Sequence, residues 1–498
     1  MIRTLPRDFV LGATSAAYQV EGGLHEGGRI PAAWDSWLQR PSNLFDAEIA
    51  SDSYHRWRED IENCRQYGIK SLQISFAWTR LQDEEGQANP EGLKFYDAVI
   101  DACLEADIEP YVALYQFDLP ADLADRGGWL DPLTTERYLA YAKLCFTHFG
   151  DRVHHWLTFK DPVTESFHTH ITGLFPPGNY FAPEDALHQL YRMTVAHSRA
   201  VMLYKGMYPG GKIGIAHRAE PVYPLQDTEA DRRAAWLDDA FSNHFLLDLV
   251  LDGRSREDTQ QAINTVLVPQ RNGYFMQDPQ EASFLQVAAS SLDFLGVNYY
   301  ASHFTTAWQG GNVIHHNGAG EKGTTTYALA GIGRRVARSE IPTTDWDWSI
   351  FPQGLYDMLM RIHREYPAKP ILITENGLGM HEELEKGTVE DDDRIDYLRQ
   401  HISAVLDAIE DGVDVRGFFI WSLVDCMSWT NGYEKRYGLF YVDRADGRRY
   451  AKKSAHWLRD FSKRRIMLTL SGLGTAFHAD PDADATMDSE GAQQGIQG

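Results

Sequence analysis

Short apolar runs recur eight times along this chain of 498 residues, and stretches with helical periodicity lie between them. The runs are Phe9–Ala13, Ser71–Ala77, Pro110–Tyr115, His155–Phe159, Lys212–Ala216, Phe294–Tyr299, Pro370–Thr374 and Val415–Ile420. Several are continuous rather than alternating, as parallel strands covered on both faces are. Between them, Leu398, Ile402, Val405 and Ile409 share one face of a helix over Arg394–Ile409, with Gly412 as a stop. Gly354–Tyr366 and Leu133–Phe149 read the same way. Eight alternations of strand and helix imply a closed (β/α)8 TIM barrel, with an open doubly wound sheet as the alternative. Length alone allows two or three domains, but such barrels with loop insertions at the C-terminal face of the strands reach this size. Residues 1–470 are therefore assigned to one barrel domain.

Two segments stand apart. Gln309–Arg338, rich in Gly, Thr and Asn, reads as a long insertion over the barrel mouth, where a lid or substrate loop belongs. Residues 471–498 carry Asp480, Asp482, Asp484, Asp488 and Glu490, lack Lys and Arg, and are expected to form an acidic, disordered tail. The net charge of −24 excludes a basic face for nucleic acid or an anionic membrane. Cys64, Cys103, Cys145 and Cys426 are far apart, which suggests neither a zinc site nor a disulfide framework. With no apolar signal-peptide run and no membrane span, the expected location is the cytoplasm. His25, His197 and His456 lack ligand spacing, so neither metal nor organic cofactor is implied. A homo-oligomer is left open.

In a barrel of this kind the chemistry sits at the C-terminal strand ends. The seventh strand delivers Glu375 to an Asn376-Gly377 turn, and the fourth ends in Lys160-Asp161-Pro162. Around these lie Gln19, Asn298, Tyr300 and Trp421 from the first, sixth and eighth strands. Two carboxylates across a barrel mouth, ringed by amides and aromatics, match the needs of glycoside hydrolysis. One protonates the leaving oxygen, and the other attacks or activates water. Amides satisfy sugar hydroxyls, while indole faces cover ring C–H groups.

From Phe9 to about Phe461 the chain resembles glycoside hydrolase family 1, through FVLGATSAAYQVEGG, LDFLGVNYY, ILITENGLG and WSLVDCMSWTNGYEKRYGLFYVD. The resemblance implies that Glu375 is the nucleophile of a retaining double displacement and that Tyr300 orients it. Gln19 and Trp421 hold the sugar, and Trp348 flanks the leaving group. Ordinary β-glucosidases carry a Glu for the O4 and O6 hydroxyls where this chain has Ser428. A carboxylate there repels a phosphate on O6, whereas Ser428, Lys435 and Tyr437 can all donate to one. The string Ser428–Gly438 is similar to the phosphate loop of 6-phospho-β-galactosidases, and Trp429 favours galacto over gluco. Gly331–Val336 and Lys452–Trp457 add to the likeness.

Four positions depart from the family pattern. Gln73 replaces an Arg that contacts the nucleophile, Gln116 replaces a sugar-binding His, and Lys160 and Asp161 replace Asn-Glu. Asp161 remains the candidate acid/base, but its carboxyl is set back by roughly 1.5 Å, and misplacement of about 1 Å can cost on the order of 10²-fold in rate. Glu165 is a substitute acid. Charge conservation makes Lys160 the replacement cation beside Glu375. The expected function is retaining hydrolysis of 6-phospho-β-galactosides, with a phosphorylated glycoside as the small-molecule partner. The alternatives are a 6-phospho-β-glucosidase or dual-specificity enzyme, and a catalytically weakened sugar-phosphate-binding pseudoenzyme.

Overall fold

The computed structural model describes residues 2–266 and 278–468. All eight apolar runs form strands, which pair in parallel until the eighth meets the first. In chain order they are β1 (Val10–Thr14), β2 (Ser71–Ser75), β3 (Glu109–Ala113), β4 (His155–Lys160), β5 (Lys212–Arg218), β6 (Phe294–Asn298), β7 (Ile371–Asn376) and β8 (Val415–Trp421). Closure sets Gly417 opposite Val10 and Trp421 opposite Thr14. The three expected helices are Pro132–Phe149, Pro352–Glu365 and Asp392–Glu410. The barrel is closed, and the open-sheet alternative falls.

An apolar group of Tyr111, Leu157, Phe294, Leu372 and Phe419 fills part of the barrel interior. A Cβ on Gly12 would lie 2.4 Å from the Phe419 ring, so that ring occupies space only glycine leaves. At the strands' C-terminal ends the buried residues become polar: Thr14, Gln73, Lys160, Asn298 and Glu375 are all nearly inaccessible. Such groups persist inside a fold only when paired or when they serve a ligand.

The expected insertion over Gln309–Arg338 lines the cavity mouth and carries three short strands within its loops. Val313–His315, Thr326–Leu329 and Gly333–Arg335 pair antiparallel, and the last continues onto His303–Thr306 and Val222–Pro224. Strands of three or four residues with exposed positions leave too little apolar pattern to read. The expected acidic tail lies outside the described residues. Among the described residues no helix is long and apolar enough to cross a membrane. The four cysteines are free and buried, and burial pushes the Cys103 and Cys426 thiols up to about 12.

Candidate active site

A cavity of about 580 Å³ opens at the C-terminal ends of the strands. Glu375, Asp161, Tyr300, Gln19 and Gln116 line it, together with Trp348, Trp421, Trp429, Ser428 and Tyr437. Ten residues expected at the site therefore converge on one space, though they come from points far apart in the chain. Lys160, Asn298 and Lys435 are buried against that wall, the first two bonded to Glu375 and Asp161 and the third lying over the Trp348 ring.

Glu375, near the end of β7, has both carboxylate oxygens engaged. Tyr300 Oη donates to Oε2 at 2.6 Å, and Lys160 Nζ lies 2.5 Å from Oε1. Lys160 is fully buried, 3.3 Å from Thr14 Oγ1 and 5.3 Å from the centre of the Trp421 ring. A register irregularity in β4 between Leu157 and Lys160 accompanies this inward placement. Gln73 instead donates to Thr14 Oγ1 at 2.7 Å and to the Thr374 carbonyl at 3.4 Å. The cation at Glu375 is thus Lys160, which is placed against the carboxylate rather than among the cavity-lining sugar contacts.

Asp161 follows β4 in the left-handed region, φ 54° and ψ 50°, which Asp tolerates better than most residues, and it precedes the helix Pro162–His170 without a side-chain capping bond, leaving its carboxyl free for the site. Its Oδ1 accepts from Asn298 Nδ2 at 2.8 Å, and Asn298 Oδ1 accepts from Thr374 Oγ1 at 2.6 Å. Asn298, expected to bind sugar, spends both ends of its amide on protein groups and positions Asp161. Burial raises the Asp161 pKa to about 8, and the nearby Glu375 charge adds to the rise. Lys160, Arg218 and the Asn298 bond oppose it. Burial and the Glu375 charge both favour the protonated carboxyl, the form a general acid needs. Glu165, the substitute acid, is likewise raised to about 8 by burial, but its carboxylate accepts from Tyr115 Oη at 2.6 Å and it is not part of the cavity wall.

A pH prediction follows from this arrangement. On the expectation that Asp161 is the acid, only its protonated form can act, and turnover of an alkyl glycoside should fall as pH rises through about 8. A dinitrophenyl glycoside leaves without a proton and should lack that limb. Matching profiles for the two substrates would remove Asp161 from the acid role.

Around the cavity, polar atoms remain unsatisfied. Gln19 donates to the Met427 carbonyl at 2.6 Å but leaves Oε1 buried without a partner, and Gln116 Oε1 and Trp429 Nε1 are in the same state. A buried acceptor or donor without a partner costs about 1–3 kcal/mol, which substrate hydroxyls would relieve. Trp429 is held firmly for this, 4.6 Å from the Trp34 ring and stacked at 5.4 Å on Tyr18.

The loop after β8 carries Ser428, Lys435 and Tyr437, and Asp425 fixes its course. Asp425 accepts from Gly438 N and Arg436 Nη1, each at 2.8 Å, and from Lys452 Nζ at 2.7 Å. Asn431 of this loop donates to the Gly318 carbonyl at 3.0 Å, tying it to the inserted sheet. Lys435 is almost fully buried, its Nζ 3.3 Å from the centre of the Trp348 ring and 5.6 Å from that of Tyr437. Among the described residues it has no carboxylate partner. Burial pushes its pKa well down, and Arg218 adds to the effect.

The profile of Glycosyl hydrolase family 1 matches residues 1–467. The chain belongs to that family. The 6-phospho-β-galactosidase of Clostridium acetobutylicum is 44% identical over 468 residues, 94% of this chain and 98% of its own. That of Streptococcus mutans is 42% identical over 94% of this chain and all of its own. Among solved structures, the psychrophilic β-glucosidase from Micrococcus antarcticus superposes with a TM-score of 0.85 at 32% identity, covering 93% of this chain and 98% of that one.

For a family 1 member, sequence reading missed one prominent cavity residue, Arg218. The fifth run was ended at Ala216, whereas β5 continues through His217 to Arg218. A charge at the end of an apolar run, the same signal that marked Glu375, was available to find it.

Proposed function

We propose that this chain hydrolyses 6-phospho-β-galactosides with retention of anomeric configuration. Glu375 attacks the anomeric carbon while Asp161 gives its proton to the leaving oxygen. The anionic Asp161 then takes a proton from water, which displaces Glu375 from the glycosyl-enzyme. Tyr300 and Lys160 orient the nucleophile. Gln19, Gln116, Trp421 and Trp429 receive the sugar, and Trp348 flanks the leaving group.

The observation that carries the substrate class is Lys435. A buried lysine without a carboxylate partner, its charged form disfavoured by burial, gains most from an anion supplied from outside the protein. Tyr437 and Ser428 line the same cavity, and the Ser428 hydroxyl donates to Asn431 Oδ1 at 3.1 Å until a better acceptor arrives. The relatives named 6-phospho-β-galactosidase support the same reading. The unpaired Trp429 Nε1 offers a donor to a sugar hydroxyl, and a Trp at this place is the feature in which the loop resembles galacto-specific relatives. Such a substrate, charged and unable to cross a bilayer, fits a cytoplasmic enzyme.

A second reading, a sugar-phosphate binder with weakened turnover, draws on the full occupation of the Glu375 oxygens and the short Asp161 side chain. Initial rates on nitrophenyl 6-phospho-β-galactoside, its gluco epimer and the unphosphorylated galactoside separate the two. The enzyme should prefer the first over the last by about 10²-fold or more in kcat/KM, the value of one or two charge-assisted hydrogen bonds. Tight binding of galactose 6-phosphate without turnover of any of the three would establish the binder.

A further inference from the structure

Four arginines line the cavity: Arg218, Arg334, Arg335 and Arg338. Arg335 is committed to Asp238, through Nε at 2.9 Å and Nη2 at 2.7 Å, and Arg338 pairs with Glu340. Arg334 is exposed, its guanidinium carbon 5.6 Å from the Trp308 ring centre. Arg218 differs from all three. Its Nε donates to Glu220 Oε1 at 2.9 Å, and the other oxygen of Glu220 lies 3.1 Å from His303 Nε2. That grip fixes the guanidinium from behind. Its terminal nitrogens have no hydrogen-bond partner among the described residues. The guanidinium carbon stands 4.6 Å from the centre of the Trp348 ring and 5.3 Å from that of Tyr300. Trp348 also carries Lys435, so one indole touches both cations.

A guanidinium held by Nε, with its fork turned to a cavity and its plane supported by aromatic rings, is prepared for bidentate capture of an oxyanion. We propose that Arg218 is a second anion receptor of this site, binding an oxyanion group of the substrate through its guanidinium fork. The inference rests on the phospho-glycosidase reading and deepens it. The oxyanion has two sources, the 6-phosphate itself, shared with Lys435 across Trp348, or an acidic group on the aglycone, which leaves past Trp348. Nearby Asp161 makes the placement consequential: neutralising Arg218 with an anion removes a charge that favours ionised Asp161, and so helps to keep the acid protonated.

The test compares wild type with Arg218→Met and Arg218→Lys on three aryl β-galactosides: phosphorylated with a neutral aglycone, unphosphorylated with a carboxylated aglycone, and unphosphorylated with a neutral aglycone. A loss in kcat/KM of about 10–100-fold for Arg218→Met, confined to the phosphorylated substrate, would place the fork on the phosphate. The same loss confined to the carboxylated aglycone would place it on the leaving group. In either case Arg218→Lys should recover only part, because it restores charge without the fork. Equal loss on all three substrates, or none on any, overturns the proposal. If the wild type turns over none of them, the hydrolytic reading fails separately. Calorimetric titration with galactose 6-phosphate and inorganic phosphate then decides: unchanged affinity in Arg218→Met overturns the receptor, and a tenfold or greater loss supports it.

Discussion

Glu375→Ala is expected to abolish turnover, with a fall in kcat of at least about 10³-fold, as removal of a nucleophile does in other covalent mechanisms. Azide should restore part of it. In the variant the Lys160 ammonium, normally 2.5 Å from Glu375 Oε1, faces a vacated pocket the size of a small anion. Azide bound there can attack the anomeric carbon once, with departure of the leaving group aided by Asp161. A single displacement inverts what two displacements retain, so the product should be the α-glycosyl azide. NMR of the product checks this directly. A β-configured product, or residual activity near that of wild type, would remove Glu375 from the nucleophile's role.

Much of this architecture could be read in advance for a simple reason. A central barrel strand is buried on both faces, so runs such as Ile371–Thr374 are apolar without interruption, and a carboxylate ending one is conspicuous. The strand ends must meet at one mouth, so Glu375, Asp161, Tyr300 and Trp421 converge once the barrel is granted. What the strand pattern does not encode is which side chain serves which. Asn298 stood at a strand end like any sugar ligand, but its amide is spent between Thr374 and Asp161. Lys435 keeps its place as the candidate phosphate ligand, but its position against Trp348 depends on packing between the loop after β8 and a segment some ninety residues earlier, which no strand pattern encodes. The inserted sheet was hidden because its short strands have one wet side and no apolar run. Arg218 lies two residues past the end of the apolar run, where the strand continues with polar residues.

Lys160→Met should be the most destabilising substitution at the site. Glu375 is about 2% exposed, and with Lys160 gone it would be left buried with the Tyr300 bond and no cation. Breaking a buried pair from one side costs about 3–5 kcal/mol, because the remaining charge loses its compensation while staying out of water. Replacing both partners with neutral groups should cost far less. The double variant Lys160→Met/Glu375→Gln is therefore expected to unfold at a higher denaturant concentration than Lys160→Met alone, a reversal that additive damage cannot produce. The same pair decides how the departures from the family hang together. If Lys160 has taken over the task lost where Gln73 stands, then Gln73→Arg in the Lys160→Met background should recover stability and some turnover. Introduced alone, Gln73→Arg should harm the protein, since a second buried cation would then compete for one carboxylate. No harm from Gln73→Arg alone, or no recovery in the double variant, would show that the two positions changed independently.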